Sequence, residues 1–131
     1  SVGTMVGAKD TRIQLLVSLA GLVETKKFCI NILNPESVNE NNQLPENLKE
    51  DLKKIKSVYS QSAEIFIPWL LIHGSEDKIV PVTDSSSLLL NFEETRHLVE
   101  LPNADHFFSG ETVSQISGII IDWLGKKIQP I

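Results

Sequence analysis

Cysteine is nearly missing from this chain. Cys29 is the only one in 131 residues, so no internal disulfide can form and nothing calls for an oxidising compartment. Long apolar runs are missing too, and the longest is too short to span a bilayer. No signal-peptide pattern is visible, although a segment upstream of Ser1 would hide one. There is no glycine-rich phosphate loop. Three histidines occur, His73, His97 and His106, without H-x-x-x-H spacing or a cysteine cluster, so no metal is expected. Basic charge is in deficit, with 12 Lys and Arg against 17 Asp and Glu and a net charge of −5. That balance argues against a nucleic-acid partner and against an anionic membrane surface. The expectation is a protein without cofactor, working in the cytoplasm. Internal repeats and low-complexity tracts are also absent.

What is present is an ordinary globular composition, 41% hydrophobic and 22% charged, in a length that makes one domain over residues 1–131. The chain is organised around residues 68–82, PWLLIHGSEDKIVPV. Its apolar run, Trp69 to Ile72, is too short for a helix and shows no polar alternation, which suits a strand buried on both faces of a parallel sheet. The run breaks at Gly74 into a loop carrying Glu76 and Asp77. Loops at the carboxyl ends of parallel strands are where open α/β sheets place their chemistry. A later loop, within LPNADHFFSG, presents His106 in a comparable setting.

The rest of the chain alternates. Residues 1–9 read as the end of a helix with Val2, Met5 and Val6 on one face. Residues 13–20, IQLLVSLA, read as a buried strand ended by Gly21. Leu22, Val23 and Phe28 after it either line a substrate pocket or belong to the core. Residues 34–44 are polar and asparagine-rich, a surface loop. Residues 45–65 form the clearest helix, with Pro45 at its first position and Leu48, Leu52, Ile55 and Tyr59 as its apolar stripe. Early acids and later lysines suit the helix dipole, and the lysines belong to a solvated face. Thr83 or Asp84 caps a helix running to about Phe92. Arg96 to Leu101 is a third strand, with His97 facing solvent. Thr112 and Gln115 fit a capping box for a last helix that buries Val113, Ile116, Ile120, Trp123 and Leu124. The alternation predicts an α/β fold of about three parallel strands flanked by helices.

A serine hydroxyl needs a base within hydrogen-bond reach, and the base needs a third group to fix its tautomer. His106 fits the base, flanked by Phe107 and Phe108, which would exclude water; taken alone it would read as a turn histidine. Asp77 and Glu76 both fit the orienting acid, and an aspartate there also suits a turn. Asp105 reads as a turn residue and His73 as a structural one beside the site. Ser109 and Gly110, at a helix start, are a weak anion signal.

The pair LLIHGSEDKIVPV and LPNADHFF, followed by a helix containing DWL, resembles the C-terminal half of the α/β-hydrolase family, over about residues 5–128. The resemblance implies a partial α/β-hydrolase fold, with Asp77, two residues beyond the glycine's neighbour in HG-x-x-D, as triad acid and His106 as base. It implies a serine hydrolase acting on ester, thioester or amide bonds of a small-molecule acyl substrate through an acyl-enzyme. Residues 34–65 stand where the family often carries a lid, with room here for a small loop and helix. No complete G-x-S-x-G elbow is present. Either Ser1 is the nucleophile, or, as the helix length favours, the serine lies about one turn upstream of it. The short length and the initial serine suggest a fragment, a processed product or a partial gene model. The alternative is an inactive fragment or binding module, self-associating or pairing through an exposed sheet edge.

Overall fold

A computed structural model of the chain describes residues 2–32 and 45–128. Three parallel strands, β1 (Leu16–Leu19), β2 (Trp69–Gly74) and β3 (Arg96–Leu101), form one sheet in the order β1-β2-β3. Leu16 lies opposite Trp69, and Trp69 opposite Arg96. Around them run α1 (Val2–Gly7), α2 (Thr25–Ile32), α3 (Glu46–Ile55), α4 (Tyr59–Ser62), α5 (Val82–Ser87) and α6 (Thr112–Lys127).

Every residue of β2 is buried. The missing alternation in its sequence has a simple cause, since side chains on a strand point alternately to opposite faces. Leu70 and Ile72 enter a core with Leu101, Ala104, Phe108 and the α6 residues Ile116 and Trp123. Trp69 and Leu71 enter a second core with Val23, Val58, Ile65 and Leu88. Each such aliphatic side chain contributes about 1.5–3 kcal/mol when taken fully out of water.

Several sequence expectations are corrected by tertiary contacts. The strand expected over 13–20 is four residues long and only half-buried, with Leu19 47% exposed. It pairs with β2 on one side, and among the described residues no strand lies on its other side. The helix expected over 45–65 breaks after Ile55, where Lys56 takes φ 60°. The break lets Val58 turn inward, donating its N–H to Val23 O while Lys26 N–H bonds Lys56 O. Leu48 and Tyr59, expected on the buried stripe, are exposed. Pro45 is the N-cap of α3, not its first helical residue. In α1 the buried residue is Thr4, whereas Val2 and Val6 are exposed.

Helix α5 stops at Ser87, short of Phe92, and neither Thr83 nor Asp84 caps it. Buried Asp84 instead accepts the backbone N–H groups of Val23 and Glu24 at 2.8 and 2.9 Å, tying the loop after β1 to α5. The capping box of α6 does not form: Glu111 is its N-cap, and Thr112 donates its hydroxyl to Ser109 O. Ile116 and Trp123 are buried as expected, but Val113 is exposed. Residues 34–44 and Ser1 lie outside the described residues, so the expected loop and the Ser1 nucleophile do too.

Arg96 is buried at the start of β3 without a carboxylate partner among the described residues. Its guanidinium donates to the carbonyls of Leu88, Ser62 and Ile65 and lies between the rings of Phe92 and Trp69, 3.8 and 5.0 Å from their centroids. Burial pushes its pKa down, with the Tyr59 phenol opposing. A lysine could not fork to three carbonyls while stacking on both rings. We expect Arg96→Lys to cost about 2 kcal/mol or more in a urea melt; an unchanged midpoint would refute that account.

Candidate active site

The site is assembled where β2 and β3 end. Two loops leave the same edge of the sheet and are joined by backbone hydrogen bonds, Ser75 N–H to Leu101 O at 2.9 Å and Glu76 N–H to Ala104 O at 3.0 Å. Asn103 N–H adds a bond to Ser75 Oγ at 2.9 Å. Gly74 makes this approach possible. A Cβ there would meet the Ala104 carbonyl oxygen head-on and stand 2.7 Å from its carbon and 2.9 Å from Asp105 O.

These contacts bring Asp77 and His106 together. His106 Nδ1 lies 2.8 Å from Asp77 Oδ2. Asp77 Oδ1 accepts the backbone N–H groups of Ile79 and Val80 at 2.9 and 2.8 Å. The Asp77 side chain is fully buried, and that of His106 is 26% exposed. A carboxylate only accepts, so Nδ1 carries a proton and Nε2 of the neutral ring is a bare lone pair. Among the described residues Nε2 has no hydrogen-bond partner. Burial raises the Asp77 pKa, but His106 and the Val80 and Ile79 amides outweigh it, and the carboxyl sits below its ordinary value.

A depressed carboxyl pKa ties this site to acid stability. The unfolded chain binds the proton more readily, so Asp77 contributes fully above about pH 4 and its share is lost as pH falls through the lower folded-state value. Urea midpoints measured from about pH 5 to pH 2 should fall less steeply for Asp77→Asn than for the parent. Parallel curves would remove Asp77 from the acid transition.

Glu76, the competing acid, is exposed and its N–H serves the loop junction. Asp105 is a turn residue as expected: Ser109 donates its amide and hydroxyl at 2.9 and 2.8 Å, holding the Asp105 carboxyl below its usual range. The same bonds occupy the groups that Ser109 would offer an anion. The two phenylalanines part company. Phe108, with φ 52°, is driven into the core, while Phe107 is 74% exposed and sets its ring edge-on to His106 at 5.3 Å. Phe107, whose ring lies against the histidine, is thus open to water. Val23 is buried in the core and, with Leu22, also borders a groove of about 210 Å³ shared with Thr4 and Ser18, and Phe28 is not part of that lining. His97 is exposed, as expected.

Sequence reasoning gave His73 a structural place only. It is fully buried, with Nδ1 2.7 Å from Ser85 Oγ, Nε2 2.9 Å from Val80 O and 3.1 Å from Asp77 Oδ2. The signal for it was its position just before the glycine of the acid loop. Among the described residues no group of three His, Cys, Asp or Glu side chains is placed to hold a metal, and no helix is long and apolar enough to cross a membrane.

No protein-family model and no curated protein matches the chain. Solved structures do. The esterase Est1E from Butyrivibrio proteoclasticus superposes with TM-score 0.73 at 16% identity, over 98% of this chain and 57% of that one. The esterase domain of a Rhodothermus marinus protein gives 0.69 at 15% identity, over 95% and 55%. A Pyrococcus furiosus esterase gives 0.62 at 17% identity, over 96% and 49%. The chain thus spans about half the length of these structures. Three parallel strands between helices, superposing on esterases over almost all of this chain, make its architecture part of an α/β-hydrolase-like fold.

Proposed function

We propose that this chain supplies the acid and base of a serine hydrolase acting on ester, thioester or amide bonds, carboxylic esters first among them. The observation that carries this reading is the buried Asp77 bonded to His106 Nδ1, with Nε2 unpartnered among the described residues. His106 Nε2 takes the proton from a serine hydroxyl as its oxygen attacks the acyl carbon. The same proton then passes to the leaving alcohol, thiol or amine, which departs and leaves an acyl-serine. Water attacks that ester with His106 again as base, and the acid and the free serine are released. Asp77 holds the imidazole in the Nδ1–H tautomer and stabilises its cation. The serine belongs about one helical turn upstream of Ser1. Support for the ester class comes from the similar esterases, one of which, Est1E, is solved with ferulic acid bound; a similar Mycobacterium tuberculosis structure is a puromycin-hydrolysing peptidase.

The test is hydrolysis of p-nitrophenyl esters by the protein extended upstream of Ser1, with and without His106→Ala. Loss of about three orders of magnitude or more in kcat is expected; hydrolysis by the variant at the parent rate would overturn the assignment. A second reading, an inactive module that pairs through its sheet edge, draws on the one-sided pairing of β1 and the 47% exposure of Leu19. Labelling by a serine-directed fluorophosphonate separates the two: the enzyme reacts and the module does not.

A further inference from the structure

We propose that His73 is a positioning residue for the Asp77–His106 pair, its buried Nε2–H fixing the Val80 carbonyl and facing Asp77 Oδ2. This rests on the reading of Asp77 and His106 as acid and base. A carbonyl only accepts, so the 2.9 Å contact with Val80 O puts a proton on His73 Nε2. Nδ1 of the neutral ring is then an acceptor, and Ser85 donates its hydroxyl to it at 2.7 Å. The tautomer is set from both ends by groups on two different elements, the acid loop and α5.

Two consequences reach Asp77. Val80 is held on both sides of its Cα, its C=O by His73 and its N–H by Asp77 Oδ1 at 2.8 Å. The two bonds fix the peptide planes before and after Val80, so the ring helps to pin the loop that carries the acid. The Nε2–H edge also lies 3.1 Å from Oδ2, the oxygen that faces His106. Both side chains are fully buried, where the field of an N–H dipole is little screened. Among the described residues Asp77 is the one ionisable group facing the His73 ring; its other polar neighbours are the Ser85 hydroxyl and the Val80 carbonyl. A histidine kept only for packing would have no need of this orientation.

Nuclear magnetic resonance of the chain itself tests the proposal without a nucleophile. Long-range proton–nitrogen spectra should show His73 as the Nε2–H tautomer; the Nδ1–H tautomer would overturn it. In His73→Phe the Asp77 carboxyl titration should rise toward the ordinary carboxylate range and the His106 Nδ1 proton signal should move. In His73→Gln, which keeps an N–H donor, both should stay closer to the parent. A folded His73→Phe with both signals unchanged would leave His73 a packing residue. Should that variant not fold, Ser85→Ala carries the test: loss of the Oγ–H donor should give the ring a second state and raise the Asp77 titration less, and no change in either would overturn the proposal. Asp77→Asn serves as the reference. If it leaves the His106 tautomer unchanged, the acid–base reading fails; if it changes that tautomer while the His73 variants do nothing, only the role of His73 falls.

Discussion

Asp77→Asn is expected to lower ester turnover by about four orders of magnitude while the chain still folds. The cause lies in which oxygen can be replaced. Oδ1 accepts two backbone N–H groups, from Ile79 and Val80, and neither can reverse its polarity. The asparagine carbonyl must therefore take the Oδ1 place and its NH₂ the Oδ2 place. That NH₂ then faces His106 Nδ1 across 2.8 Å, where a proton stands now. Two donors cannot share one bond, so the imidazole moves its proton to Nε2 and Nδ1 becomes the acceptor. An Nε2–H group cannot take a proton from a hydroxyl, and the base is lost although every atom remains near its place. Two measurements check this. Steady-state hydrolysis by the protein carrying its nucleophile gives the loss in kcat/KM, and proton–nitrogen spectra of the chain alone give the His106 tautomer. Turnover within tenfold of the parent, with Nδ1–H retained, would rule the account out.

Gly74→Ala should remove the site by a different route. The added methyl would collide with the Ala104 carbonyl and crowd Asp105 O at 2.9 Å, and both are backbone atoms that no rotamer change can clear. Relief requires the two loops to separate. That movement strains the Ser75–Leu101 and Glu76–Ala104 bonds and draws His106 away from Asp77. Overpacking of a closed site costs about 1–3 kcal/mol, and weakened backbone bonds add roughly 1 kcal/mol each. We therefore expect a loss of about 3 kcal/mol in a denaturant melt and, from a shift near 1 Å at the base, about 100-fold in turnover. Gly3, in α1 where an added Cβ meets nothing, is the control, and alanine there should be neutral or stabilise by up to about 1 kcal/mol through helix propensity. Equal stabilities for the two variants would show that the loops do not depend on Gly74.

The strands were legible where burial is two-sided or the pattern is bounded. The apolar run Trp69 to Ile72 and the segment Arg96 to Leu101 needed only local composition and flanking turn residues, and both stand as β2 and β3. Asp77 and His106 were legible because each follows such a strand, and the carboxyl ends of parallel strands meet at one edge. Misreadings arose where a distant partner decides. The break at Lys56 follows from Val58 reaching back to Val23, and the turn of Asp84 away from its helix follows from the loop after β1. No window of sequence around either residue contains its partner, which lies more than 30 residues away for Val58 and 61 for Asp84 and Val23. Phe107 and Phe108 are chemically identical neighbours, and only the left-handed backbone at Phe108 sends one to the core and the other to water.

By itself the sequence determined the α/β alternation, the two loops that carry Asp77 and His106 and the residue types they present, because strand periodicity and turn chemistry act over a few residues. Only the tertiary structure decided that Asp77 and His106 share a hydrogen bond, that Gly74 lets their loops touch, and that His73 stands behind them with one tautomer. Those facts depend on the packing of segments distant along the chain, whose contacts form only once β2 and β3 lie side by side.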